Sequence, residues 1–163
     1  MSNFLDSHLK KLSNHFDYPE LELRVLLNKA SNTDKEIFFS NFNIEKINIQ
    51  IFKDSFDRRL KKEPISKIFN SKEFWKYNFY VNKFVLDPRP ETETLVEAIL
   101  NYSGKKKKIL DLGTGSGCIA ISLALELTDA TIVGVDISKA ALTVARKNSR
   151  VTGANVSFFQ SNC

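Results

Sequence analysis

Apolar positions recur at helical spacing through the first part of the chain and then give way to short apolar runs bounded by turns. Residues 1–72 contain no glycine and read as helical. Pro19, after Asp17 and Tyr18, stands where a helix start tolerates a missing N–H. Leu23, Leu26, Leu27 and Ala30 follow at helical intervals. Thr33-Asp34-Lys35-Glu36 has the form of a capping box and predicts a second helix with Ile37 and Phe38. Asn43 predicts the cap of a longer third helix carrying Ile44, Ile47, Ile51, Phe52, Phe56 and Leu60. That helix ends near Lys62, because Glu63 precedes Pro64.

Residues 73–88 are rich in aromatic and β-forming types, with Asn82-Lys83 as the expected hairpin turn. Pro88 and Pro90 end that stretch, and 91–100 fits a helix with Leu95, Val96, Ile99 and Leu100 on its apolar stripe. Alternation follows: strand 107–112, loop 113–117, helix 116–127, strand 130–135, helix 138–149 capped by Ser138, strand 156–159. Strand–helix alternation predicts an α/β fold with about three parallel strands. The expected organisation is a helical bundle over 1–72, a β-hairpin connector over 73–88 and the start of an α/β domain over 89–163.

Composition excludes several classes. The 163 residues are 42% hydrophobic and 26% charged, as in soluble globular proteins. No apolar run approaches the roughly 18 residues of a membrane span, and the N-terminus lacks the pattern of a secretory signal. Two cysteines, Cys118 and Cys163, have neither metal-ligand nor disulfide-framework spacing, which points to a reducing, cytoplasmic setting. The net charge of +5 is dispersed. Its one dense run, 105–108, reads as the solvated start of a strand rather than a nucleic-acid contact.

Chemistry concentrates in Asp111-Leu112-Gly113-Thr114-Gly115-Ser116-Gly117, which follows a strand and opens a helix. Glycines there permit a tight turn and close approach of a ligand. Their spacing differs from the dinucleotide form Gly-x-Gly-x-x-Gly and resembles the first motif of S-adenosylmethionine (SAM) methyltransferases, whose loop wraps the methionine part of SAM. Asp136 ends the next strand, where a carboxylate accepts from both ribose hydroxyls. Asp111 either touches ligand or holds the loop. Cys118 reads as buried packing, Trp75 as hairpin packing, and His8 and His15 as surface residues without partners.

A more specific resemblance runs through most of the chain. Arg58-Arg59, Glu63-Pro64-Ile65, Glu73-Phe74-Trp75, Phe79-Tyr80-Val81 and Leu86-Asp87-Pro88-Arg89-Pro90-Glu91-Thr92-Glu93 occur in this order. They resemble the peptide chain release factor glutamine methyltransferases. The resemblance implies a helical domain that helps recognise the release factor, followed by the first half of a Rossmann-like SAM-dependent methyltransferase domain. It also implies methyl transfer from SAM to the glutamine amide nitrogen of the release factor's Gly-Gly-Gln loop. By position, Gly113, Thr114, Gly115, Ser116 and Gly117 would line SAM, with Asp111 and Cys163 beside it and Asp136 on the ribose. Arg89, Pro90, Glu91, Thr92 and Glu93 would flank the active-site mouth. No metal, membrane or direct nucleic-acid contact is implied.

The sequence departs from the family in two places. Asn162 and Cys163 stand where an acidic and an aromatic residue flank the adenine, and the Asn-Pro-Pro-Tyr segment that orients the substrate amide is absent. These residues alone are therefore expected to transfer methyl groups weakly or not at all. The alternatives are a non-catalytic release-factor-binding remnant, or a methyltransferase acting on a ribosomal-protein glutamine or on nucleic-acid adenine.

Overall fold

The structure is a computed structural model that describes residues 2–33, 35–104 and 108–162. The chain divides into two compact units, Met1–Phe69 and Asn70–Cys163.

The first unit is helical: α1 (Ser2–Ser13), α2 (Pro19–Lys29), α3 (Ile49–Leu60) and the short α4 (Ile65–Ile68). Pro19 opens α2 as its sequence position predicts, and Leu23, Leu26 and Leu27 are buried. Their core partners are Leu12, Phe42, Ile47, Phe52 and Phe56. Two expectations fail here. Among the described residues of 33–38 no α-helix forms, and Asp34 of the expected capping box lies outside the described residues. The reason lies on α2. The Asn28 side chain accepts from Ile37 N–H at 2.7 Å and donates to Ile37 O at 3.0 Å, so both backbone groups of Ile37 are committed to a side chain. Asn43 caps only a 3₁₀ turn, Ile44–Lys46, by accepting from Glu45 N–H. Ile47 is extended and bridges to Ser31, which interrupts the expected long helix. Asn48 is the cap of α3, accepting from Ile51 N–H at 3.1 Å.

His8 also departs from expectation. It is half-buried, its Nδ1 lies 2.7 Å from Phe4 O, and its ring meets Phe52 and Phe56 edge-on. A helix residue one turn from Phe4 shares its face, and that face is apolar here.

The second unit opens with an antiparallel hairpin, β1 (Ser71–Phe74) and β2 (Tyr77–Tyr80). Its turn is at Trp75-Lys76, with Trp75 at φ 57°, and not at Asn82-Lys83. Asn82 does form a turn, but after the hairpin, where its Oδ1 accepts from Phe84 N–H. The strained Trp75 is held by two carboxylates. Its N–H donates to Glu93 Oε1 and its Nε1–H to Glu126 Oε1, both at 2.9 Å. Helices α5 (Glu93–Asn101), α6 (Cys118–Glu126) and α7 (Lys139–Thr152) alternate with β3 (Lys108–Leu112), β4 (Thr131–Asp136) and β5 (Val156–Gln160).

The three strands form a parallel sheet in the order β3-β4-β5, as in a Rossmann-like α/β fold. Ile109, Ile132, Val156 and Phe158 share one face and pack with Ala120, Ile121, Leu123, Leu142 and Ala145 of α6 and α7. The hairpin joins this core through Phe74 and Phe79. On the opposite face Leu110, Leu112 and Phe159 are exposed. Helix α6 carries apolar residues around most of its circumference, which suits a buried helix, and Cys118, Ala120, Ile121, Ser122 and Leu123 are all buried.

Candidate functional site

The carboxyl ends of β3 and β4 meet at the glycine loop. Gly113 N–H and Thr114 N–H both donate to Val135 O at 2.9 Å, which ties the end of β3 to the end of β4. Gly113, Gly115 and Gly117 all have φ between 55° and 81°, a region costly for residues with a Cβ. Gly117 then caps α6, with Ile121 N–H donating to its carbonyl.

Asp136 ends β4 and comes directly to this loop. Its Oδ2 accepts from Gly115 N–H and its Oδ1 from Ser138 N–H, each at 2.9 Å. Ser138 in turn caps α7 by accepting from Ala141 N–H, as its position predicts. One carboxylate therefore fixes both the glycine turn and the start of the next helix.

Asp111 takes a loop-holding position. Thr114 Oγ1 donates to its Oδ2 at 2.7 Å. Burial pushes its carboxyl above the usual carboxylate range, and the neighbouring Asp136 charge adds to that rise. The hydrogen bonds from Thr114 and the Ala120 backbone offset part of it. Thr114 and Ser116 are buried, so the loop turns these side chains into the protein and presents Gly113 and Gly115 outward. Cys118 is buried too, and desolvation raises its thiol pKa to about 11, a packing residue held as the neutral thiol.

Beside the loop lies a groove of about 270 Å³ lined by Leu112, Gly113, Val135, Asp136, Ile137, Ser161 and Asn162. It occupies the end of the sheet where ligands bind in open α/β folds. Asn162 is thus on the groove, whereas Cys163 lies outside the described residues. The loop's outer side is roomy: a Cβ at Gly113 would meet nothing within 4 Å, and one at Gly115 only Gly113 O at 3.8 Å.

The 89–93 segment is a 3₁₀ turn, Pro90–Thr92, running into α5. Arg89, Pro90 and Glu91 are exposed and Thr92 is half-buried. Glu93 turns onto the hairpin through Trp75 N–H.

Two residues that position the loop escaped the sequence reading. Asn148 of α7 is buried; its Oδ1 accepts from Tyr80 N–H, and its Nδ2 donates to Tyr80 O and to Ser116 O. It stands at helical spacing from Ala141, Val144 and Ala145, and a polar side chain on that apolar stripe is the available signal. Gly134 lies beneath the loop, where a Cβ would come within 2.7 Å of the Phe158 ring and 2.9 Å of Thr114 Oγ1. A glycine inside a strand marks such close approach. Among the described residues there is no cluster of metal-ligating side chains and no helix long and apolar enough to cross a membrane.

The chain is similar in sequence to known methyltransferases. A family model described as a methyltransferase domain matches residues 103–163. The release factor glutamine methyltransferase of Buchnera aphidicola subsp. Schizaphis graminum is 40% identical over 98% of this chain. That of Buchnera aphidicola subsp. Baizongia pistaciae is 37% identical over 93%. The bifunctional methyltransferase of Rickettsia bellii is 36% identical over 91%. The chain spans 59%, 60% and 32% of the lengths of these three relatives, respectively. Over most of its length the chain is similar to release factor glutamine methyltransferases, and its second unit contains the segment that the methyltransferase-domain model matches.

Proposed function

We propose that these residues form the cofactor-holding part of an enzyme that methylates the glutamine amide nitrogen in the Gly-Gly-Gln loop of peptide chain release factors. The observation that carries the cofactor reading is the placement of Asp136, joined to Gly115 N–H and Ser138 N–H at the rim of the groove. A carboxylate offers about four lone-pair sites, and two are used by these amides. The two that remain match the two hydroxyls of a ribose. The open outer side of Gly113 and Gly115 gives room for the methionine part of SAM. The paired carboxylates Asp111 and Asp136 favour a cationic ligand over a phosphate-bearing one. Bound SAM would supply an electrophilic methyl group.

The chain's own residues bind and orient. Asp136 would hold the ribose, the backbone of 113–117 would follow the methionine, and Arg89 to Glu93 would flank the mouth. Glu93 contributes by holding that segment on the hairpin turn. The substrate class rests on the release factor enzymes among the relatives and on the Pro88–Glu93 sequence. In this reading the protein acts in translation termination, in the cytoplasm, with release factors as its partners.

Calorimetry with S-adenosylhomocysteine tests the cofactor half. One-to-one binding is expected, weakened about tenfold or more in Asp136→Ala, in line with loss of a charged hydrogen-bond acceptor. A folded protein showing no heat of binding would sink it. The substrate half is tested with tritiated SAM and a release factor, using the protein that contains these 163 residues. Label should appear on the factor and vanish when its loop glutamine is replaced by alanine; label that persists in that variant would refute this substrate.

A further inference from the structure

Helix α7 carries Lys139, Arg146, Lys147 and Arg150 and no acidic residue. All four are exposed and recur at intervals of three, four or seven residues, so they form one basic face that the dispersed charge of the sequence does not reveal. Beside this face runs a second groove of about 380 Å³, separate from the one at the glycine loop. It is lined by Tyr80, Asn82, Phe84, Ala140, Thr143, Val144 and Lys147. Its floor rests on a small apolar cluster in which Val81 and Val85 pack on Ala141 and Val144. The Asn82 turn lifts Phe84 out of that cluster, leaving the ring 54% exposed at the groove's edge.

We propose that this groove docks an acidic segment of a partner protein, with one apolar side chain of the segment seated between Phe84 and the Ala140–Val144 turn. Charge complementarity selects the acid: no lining residue is acidic, and Lys83 adds a further cation next to Phe84. A strand of nucleic acid fits less well. Base stacking needs open ring faces, and both rings here already have a lysine over them. Lys147 Nζ lies 3.2 Å from the Tyr80 centroid and Lys83 Nζ 5.2 Å from that of Phe84. The remaining apolar floor is aliphatic, the shape that takes an anchor side chain. None of these residues belongs to the cofactor groove, so this docking does not depend on what the glycine loop binds.

The test is fluorescence anisotropy at about 0.05 M salt, where surface charges act over roughly 14 Å. The probe is a short labelled peptide of glutamates around a central Phe-Leu pair. The expected result is saturable binding that weakens about tenfold in Thr143→Trp, which fills the groove from an exposed helix position. A similar loss is expected in Lys147→Glu and in Arg150→Glu, which remove rim charge. Circular dichroism should stay unchanged in all three. The proposal is overturned if the Ser-Gly version of the peptide binds equally well, if Thr143→Trp binds like the parent, or if an oligouridylate binds more tightly than the peptide.

Discussion

Gly113 and Gly117 share a backbone conformation, at φ 73° and 81°, yet the structure assigns them different work. A Cβ at Gly117 would come within 2.9 Å of Ile121 Cδ1, 3.2 Å of Ala145 Cβ and 3.4 Å of Ala145 Cα. A Cβ at Gly113 would touch nothing within 4 Å. Either alanine incurs the left-handed strain of roughly 1–2 kcal/mol. Gly117→Ala adds overpacking between α6 and α7 of roughly 1–3 kcal/mol. Ile121 Cδ1 is a chain end and can swing aside, but Ala145 cannot, so the total settles at about 2–4 kcal/mol. In a unit of roughly 90 residues, Asn70–Cys163, each kcal/mol shifts Tm by about 4–8 °C. Gly117→Ala should therefore melt some 10–30 °C low, against about 4–15 °C for Gly113→Ala. Affinity should show the reverse selectivity. Gly113 lines the open groove proposed to take the cofactor, so its alanine should meet the ligand; Gly117→Ala, assayed well below its melting point, should bind S-adenosylhomocysteine nearer to the parent. Scanning calorimetry and titration on the two variants give both numbers. Equal losses of Tm, or a larger loss of affinity in Gly117→Ala, would refute the division of labour.

Asn148→Ala should strand Tyr80 N–H, Tyr80 O and Ser116 O, at a cost of about 2–4 kcal/mol for groups left unpaired. Hydrogen exchange at Tyr80 should accelerate along with the drop in Tm; full protection there would show that another group carries that contact. Asp111 makes a pH prediction. Its folded-state pKa lies above its unfolded one, so between the two the native state binds the extra proton. Its contribution to stability is then greatest below the unfolded value and falls as pH rises through the folded one. Denaturant midpoints of the parent, referred to Asp111→Asn, should decline across that acid window. A difference that grows with pH would mean the carboxylate is favoured in the fold.

The parts of this protein that were legible from sequence are those whose causes are local. Pro19, Ser138 and the run from Asp111 to Gly117 act within a few residues of themselves, and helix starts and the glycine turn fall where those residues put them. The failures share a different physics. Thr33 to Phe38 satisfies a capping pattern, but Asn28 offers Ile37 a side-chain partner from another element, and a backbone group already bonded cannot join a helix ladder. Asn43 to Leu60 has one unbroken apolar period, yet Ile47 is committed to a bridge with Ser31. The hairpin turn fell on Trp75, a poor turn former at positive φ, because Glu93 and Glu126 reach it from α5 and α6. In each case a contact across the chain outbid a local preference worth roughly 1 kcal/mol or less per residue.

The candidate site follows the same division, and this bears on its mechanism. Asp136 was placed from sequence by its distance along the chain from the loop, which requires only that a βα unit intervene. What could not be read was that its carboxylate would bond Gly115 and Ser138 at once. Those bonds make it a strut in addition to its proposed role on the ribose, so its removal should loosen the empty site before any cofactor arrives. Asn148 extends the strut outward, joining the loop's Ser116 to hairpin residue Tyr80. The same hairpin holds Glu93 at its turn and so fixes the segment proposed to flank the mouth. The glycine loop and the Pro88–Glu93 segment are therefore mechanically coupled through one hairpin, the three hydrogen bonds of the Asn148 amide and a carboxylate. A substitution at any of these joints should change cofactor affinity and hairpin protection together, whereas Arg89→Ala, at an exposed position outside the chain of bonds, should leave hairpin protection intact.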